Sequence, residues 1–436
     1  MNKKEKTKLI PKLRFPGFLD EWKSIPFGKA FDFQQTNTFS RNLMNTQKGK
    51  VRNIHYGDVL IKYGYVLRDV SSVPFVNEDV ALKKYSKNSY LQSGDVVIAD
   101  TAEDLSAGKA VEVQNINCDI LSGLHTMLCR PIDQAAPGFW GYYINSPAYH
   151  NTIIPLITGV KVSSISKSNI IKTFVASTNT TEQQKIADCL SSLDDLIAAE
   201  EKKLETLRLH KKGLMQKLFP AEGKAVPQVR FGGFTDPWKV RSLGDIGVAT
   251  SGTSIESEFV SHGKYKVISI GSYSENSIYN DQNIRANMTS KTQSRILNKG
   301  DLTMVLNDKT SSGNIIGRVL LIGENDAYIY NQRTQRIEPY HDEYDSNFLY
   351  QLLNAHSVRA KIIKQAQGNT QIYVNWSVIR ELTYRIPCKP EQVLIGDFLS
   401  NFDDQITAQA VKIRNLKLHK KGLMQGLFPS IEEVRK

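Results

Sequence analysis

At 436 residues the chain is too long for one ordinary domain and long enough for two sizeable cores. A formal net charge of +12 and a pI near 9.2 favour a polyanionic partner. The four cysteines, at 118, 129, 189 and 388, form no CxxC pair and match no zinc spacing, which argues against a disulfide framework or a structural metal and for a reducing cytoplasm. No uncharged apolar run reaches eighteen residues, so no membrane span is expected.

In chain order, residues 1–12 are Lys-rich, lack an apolar continuation and are expected to be a basic tail. Next comes RF-x-GF-x-D-x-WK: Arg14, Phe15, Gly17, Phe18, Asp20, Trp22 and Lys23. It returns as Arg230, Phe231, Gly233, Phe234, Asp236, Trp238 and Lys239. In the first half the run from Arg52 to Gly57 precedes Leu91-Gln-Ser-Gly-Asp-Val-Val-Ile-Ala99, and in the second the run from Lys266 to Gly271 precedes Leu297-Asn-Lys-Gly-Asp-Leu-Thr-Met-Val305. Gly-Asp before apolar residues predicts a turn leading into a buried strand. Phe139 to Asn145 and Phe348 to Asn354 carry helix-like spacing, and Gly159 and Gly368 sit in matched glycine turns. Each half thus reads as a mixed α/β (α+β) globule of about 160 residues followed by a helix.

The two predicted helices run from Glu182 to Phe219 and from Glu391 to Phe428. They end in HKKGLMQKLFP, from His210, and HKKGLMQGLFP, from His419, ten of eleven positions being identical. Stepping by four and three, the first gives Ile186, Leu190, Leu193, Ile197, Glu200, Leu204, Leu207, Lys211, Leu214 and Leu218. The second gives Ile395, Leu399, Phe402, Ile406, Gln409, Ile413, Leu416, Lys420, Leu423 and Leu427. The apolar period of 3.5 is that of a left-handed coiled coil, and about 37 residues make a rod of roughly 55 Å, so the apolar positions are expected to be a helix-pairing seam. Asp194-Asp195 and Asp403-Asp404 recur in register, but adjacent helix positions diverge by about 100° and do not converge on a metal or a proton. They are expected to face solvent or a partner, as are His210 and His419.

These motifs, together with EQ-x-x-I at each helix start (Glu182, Gln183, Ile186; Glu391, Gln392, Ile395), resemble the specificity subunit of type I DNA restriction-modification systems over nearly the whole chain. The resemblance implies two target-recognition domains joined by two long antiparallel coiled-coil helices in an internal two-fold repeat. The corresponding division is a basic tail 1–12, first recognition domain 13–178, spacer helix 179–220, linker 221–227, second recognition domain 228–387, spacer helix 388–429 and C-terminal tail 430–436. It further implies a non-catalytic subunit that binds double-stranded DNA at an asymmetric bipartite target. Its partners would be two modification (methyltransferase) subunits, which methylate adenine, and restriction (translocase/nuclease) subunits, which translocate and cut. S-adenosylmethionine, ATP and Mg would serve those partners, with no cofactor or metal in this chain. The chain itself offers no Pro-Pro of an adenine methyltransferase motif and no phosphate-cradling GxxxxGK[ST], so no catalytic residues are assigned. A stand-alone sequence-specific DNA-binding regulator and a non-enzymatic coiled-coil scaffold are the alternatives.

Phosphates take Lys or Arg, and base edges take Arg, Asn, Gln, Ser and Thr. On that composition the DNA-binding candidates of the first half are Arg41, Lys48, Lys50, Arg52, Lys62, Tyr63, Arg68, Lys83, Lys84, Lys87 and Lys161. Those of the second are Lys264, Lys266, Arg285, Lys291, Arg295, Lys309, Asn369 and Gln371.

Overall fold

The structure, a computed structural model, describes residues 8–82 and 84–431. They form two compact units. One comprises the residues up to Glu201 together with those from Lys412 onward, and the other Lys202–Val411. The boundaries fall inside the long helices, Thr180–Leu218 and Lys389–Gly426. Each unit therefore holds one globular domain, the first part of the helix that follows it and the last part of the other helix.

In the first unit a five-stranded sheet has the order Phe31–Gln34, Thr126–Pro131, Val96–Ala99, Ala110–Val113 and Val66–Leu67. Only its last pair is parallel. Every residue from Val96 to Ala99 is buried, as the apolar run predicts. The preceding turn has Gly94 at φ +94°, while Asp95 accepts from the Gln92 amide (2.7 Å) and pairs with Arg130 of the neighbouring strand (2.7 Å). In the second unit Gly300 is at φ +92°, and Asp301 accepts from Asn298 (2.7 Å) and pairs with Arg336 (2.9 Å) before the strand Leu302–Val305. That strand lies in a sheet ordered Gly247–Ser251, Thr334–Pro339, Leu302–Val305 and Val319–Leu321. Helices Phe139–Asn145 and Ser346–Asn354 stand where the spacing predicts them.

The repeated opening motif is a clasp. Arg14 grips Glu182 at the helix start through two bonds (2.7 and 2.9 Å) and the Asp20 carbonyl through a third, while Trp22 is buried. Arg230 does the same with Glu391 (2.7 and 2.8 Å) and Asp236, beside buried Trp238. The clasp's second strand, Phe174–Ser177 or Thr383–Ile386, pairs antiparallel with Lys23–Pro26 or Lys239–Ser242. The stretch read as a tail is already packed at Leu9: its side chain is buried, its amide donates to Glu21 and its carbonyl accepts from Trp22. Of residues 430–436, Ile431 is buried in the same core, and 432–436 lie outside the described residues.

The helix-end motif completes the cores. Leu427 and Phe428 of the second helix enter the core of the first domain, Phe428 lying against Phe139 (6.0 Å) and Tyr143 (5.6 Å). Leu218 and Phe219 of the first helix enter the core of the second, Phe219 lying against Phe348 (5.9 Å). Within each unit the two helix segments run antiparallel. In the first, Asp194 meets Lys420 (2.5 Å), Glu200 meets Lys412 and Glu201 meets Lys417 (both 2.6 Å); in the second, Lys211 meets Asp403 (2.6 Å).

Along the seam Ile186, Leu190, Ile197, Leu218, Ile395, Leu399, Ile406, Ile413 and Leu427 are buried. Leu193, Leu204, Leu207, Leu214, Phe402, Leu416 and Leu423 are half-buried. The outer members Ile186, Leu190, Ile395 and Leu399 belong to the domain cores as well. Asp194 and Asp403, expected to face solvent or a separate partner, instead receive the seam lysines because they flank the stripe that meets the opposite helix. Asp194 also accepts from the Tyr142 hydroxyl (2.8 Å), and Asp403 from Gln351 (2.7 Å). Such partly exposed pairs contribute about 0–1 kcal/mol, against about 1.5–3 for one buried Leu or Ile. The apolar seam therefore supplies the strength, and the charges select antiparallel register.

Candidate nucleic-acid interface

The clasp and the strand-start turns consume the repeated charges. Arg14 is held above its ordinary value by its hydrogen bond to Glu182. Burial pushes Glu182 up, but Arg14 and Thr178 together hold it below the usual carboxylate range. None of these groups is left for a ligand, so a DNA contact must come from the loops between them.

Many of the expected contact residues are spoken for within the chain. Arg52 donates to the carbonyls of Ser71 and Val73 and covers the Phe75 ring (3.9 Å). Tyr63 is buried, its hydroxyl pushed up by desolvation; Lys62 beside it bonds the Ser72 carbonyl. Arg41 holds Asp58 (2.8 Å), Arg68 meets Asp195 (3.1 Å) and Lys48 lies near Glu78 (3.8 Å). Lys84 stacks over Tyr85 (5.2 Å). In the second half Lys264 pairs with Asp326, Arg285 with Asp281 (2.8 Å) and Lys291 with Glu258 (3.4 Å), and Lys266 is half-buried over Tyr328 (5.4 Å). Arg295 is fastened to the Ser251 carbonyl (2.7 Å), Thr253 and the Tyr330 hydroxyl (both 3.1 Å). Lys83 lies outside the described residues.

Six candidates are exposed, with side chains that have no partner among the described residues: Lys50, Lys87, Lys161, Lys309, Asn369 and Gln371. The last four gather at one repeated feature. Ser163–Ser164 pairs with Thr101–Ala102, and Thr158 bridges Ser164, closing a hairpin whose tip is Gly159-Val-Lys-Val162. Ile372–Tyr373 pairs with Asn307–Asp308, and Gln367 bridges Tyr373, closing a hairpin whose tip is Gly368-Asn-Thr-Gln371. Gly159 (φ +113°) and Gly368 (φ +97°) are obligatory, since a Cβ would lie 2.0 Å from the Val162 oxygen and 2.2 Å from that of Gln371. Lys309 begins the loop that follows Asp308. The frame repeats while the exposed tips differ: Val160 and Val162 beside Lys161 in one, amides and a hydroxyl in the other.

Composition could not reveal a second repeated feature beside these hairpins. Among the described residues, six non-glycine positions have φ in the left-handed region. Four are Asn115, Ser277, Asn283 and Asp326. The others, His125 (φ +55°) and Arg333 (φ +66°), occupy equivalent places, each immediately before a core strand, Thr126–Pro131 or Thr334–Pro339. For such side chains the conformation costs roughly 1–2 kcal/mol. Their only sequence signal is the alignment of Leu-His-Thr126 with Gln-Arg-Thr334, visible once the strands are matched.

Among the described residues no group of three or more His, Cys, Asp and Glu is placed to hold a metal, and no helix is long and apolar enough to cross a membrane.

Residues 235–417 match the family of the type I restriction modification DNA specificity domain. Over 253 residues, 57% of this chain, the sequence is 27% identical to the type I restriction enzyme MjaVIII specificity subunit of Methanocaldococcus jannaschii, and the chain spans 59% of that relative's length. Its fold is similar to that of a type I restriction-modification S subunit from M. genitalium, with TM-score 0.60 and 15% identity over 97% of this chain and 100% of the other. A second structure, described as the basis of complex assembly and conformational transition of the type I R-M system, gives TM-score 0.56 and 14% identity over 96% and 99%. At these identities the structural likeness speaks for the fold alone.

Proposed function

We infer that this chain, a relative of the DNA specificity subunits of type I restriction-modification systems, reads an asymmetric, bipartite sequence in double-stranded DNA and directs adenine methylation or cleavage by partner subunits. One observation carries this reading. Each half repeats one frame, from the Arg14 or Arg230 clasp to the Gly159 or Gly368 hairpin, yet presents different exposed side chains on it. Two similar frames with different tips suit two different short half-sites, as paired recognition modules read paired half-sites.

The chain carries no chemistry of its own in this reading. Modification subunits supply adenine methylation with S-adenosylmethionine, and restriction subunits use ATP and Mg to translocate and cut. Two modification subunits fit the repeat. In the helix-end block Leu218, Phe219, Leu427 and Phe428 are consumed by the cores, whereas His210, Lys212 and Gln216 and their counterparts His419, Lys421 and Gln425 are exposed. Identity at exposed positions that packing does not require supports one docking surface per half. A cytoplasmic location accords with these partners.

The test is reconstitution. The chain alone should neither methylate nor cut, the chain with modification subunits should methylate a split site, and replacing residues 27–173 by the matching stretch of a relative should change one half of that site only. Turnover by the pure chain, or both halves changing together, refutes the reading.

A further inference from the structure

We propose that Arg333 is a base-reading residue, its guanidinium set to take the O6 and N7 edge of a guanine in the major groove of the DNA bound by the second half. The proposal rests on the DNA-recognition reading above and goes further by assigning one side chain to one base.

The argument starts from the backbone. At φ +66° a glycine would sit without strain, yet the chain keeps there a long cationic side chain that is exposed and has no partner among the described residues. Strain of this kind persists where the side chain is needed and its direction matters. The equivalent position in the first half keeps the same conformation but carries His125, whose ring nitrogen lies 3.3 Å from the Thr101 hydroxyl and 3.4 Å from Asp100. In the second half Leu306 stands where Asp100 stands, so that acceptor is missing beside the guanidinium.

The backbone bonding around the two positions is the same in both halves. The His125 carbonyl accepts from the Asp100 amide (3.1 Å), and the Asp100 carbonyl from Ile165 (2.8 Å) at the foot of the hairpin. The Arg333 carbonyl accepts from Leu306 (3.0 Å), and the Leu306 carbonyl from Val374 (2.8 Å). Arg333 is thereby fixed about two strand spacings, roughly 10 Å, from the hairpin that bears Asn369 and Gln371. A major groove about 12 Å wide admits a two-stranded ribbon, and there Arg takes guanine through two bonds while Asn and Gln suit adenine. Phosphates are alike at both half-sites, so a phosphate contact would favour the same donor in both halves and needs no fixed direction. Here the direction is retained and the chemistry changes from imidazole to guanidinium, as expected of readers facing different half-sites.

The test uses the chain assembled with its modification subunits and a library of randomised split sites, methylation being read by sequencing. For Arg333→Gly and Arg333→Lys we expect thermal melting no lower than that of the unsubstituted complex, an unchanged first half-site, and a five- to 150-fold loss of preference at one guanine of the second. Lysine should not restore it, because a point charge lacks the two-bond fork. If the glycine variant does not fold, the lysine variant, which makes the same backbone demand as arginine, decides. Uniformly weaker methylation that lysine restores would identify a phosphate contact and overturn the assignment, as would an unchanged site and rate. An unsubstituted complex that methylates without sequence preference would instead refute the functional reading, and this assignment with it.

Discussion

Phe428→Ala tests the exchange of helix ends directly. Phe428 is 2% exposed and belongs to the core that contains Trp22, Phe139 and Tyr143, although it is separated in sequence from that domain by the entire second half. Removing a buried Phe side chain costs about 3–5 kcal/mol, a large share of the 5–15 kcal/mol that stabilises an ordinary domain. At about 1.4 kcal/mol per decade, opening of the first unit should become a hundred- to several-thousand-fold more frequent. Hydrogen exchange resolved by peptide reads it: amides of Val96–Ala99 and Thr126–Cys129 should lose protection, while those of Leu302–Val305 hardly change. Phe219→Ala should give the reverse pattern. A reader of the sequence alone, assigning residues 388–429 to the second half, would expect the opposite. Loss of protection confined to the second unit in Phe428→Ala would refute the packing described here.

Asp194→Lys with Lys420→Asp should recover part of the melting temperature lost in either single variant, since each single change sets like charges where a pair 2.5 Å apart now stands; no recovery in the double variant would show that the pair does not select register. Acid should weaken the first clasp: Glu182, held below its ordinary value, contributes stability that is fully present above the unfolded glutamate value and is lost as pH falls through the folded one, so Arg14→Met should flatten that decline in a pH series of melting temperatures. Adding one heptad after Leu204 and another after Ile413 keeps the seam in phase and lengthens the helices by about 10.5 Å, near three base pairs. If the helices space the two readers, the preferred gap widens by that amount and both half-sequences persist, whereas a folded variant faithful to the original gap would disprove it.

The helices, their 3.5-residue seam, the Gly-Asp strand starts and the glycine turns were legible in the sequence because each follows from local pattern. The fate of the basic residues was not. Arg52 and Arg295 grip carbonyls of their own chain and Tyr63 is buried, and composition does not say whether a side chain already has a partner. Lys161, Lys309, Asn369 and Gln371 stay exposed because they occupy tips beyond a strand pair. Arg333 was invisible, since nothing in a lone arginine announces a left-handed backbone. The Asp194 and Asp403 pairs went unread for a different reason: the helical period locates the stripe, but not which flanking carboxylate meets a lysine across it.

The exchange of helix ends also bears on synthesis. Leu218 and Phe219 leave the ribosome before the domain they complete, so the second core can close as soon as its own strands and the start of the helix after them, with Ile395 and Leu399, have emerged. The first core waits for Met424, Leu427 and Phe428, more than two hundred residues after Leu190. At 5–20 residues per second that delay is roughly 10 to 50 seconds. Throughout it the nascent first domain exposes the apolar seat of Phe428, so the half made first is finished last, and chaperone dependence should concentrate there. Ribosome-bound chains stalled just before Leu423 should be cleaved by protease in the first domain and, once their remaining residues are released, protected in it.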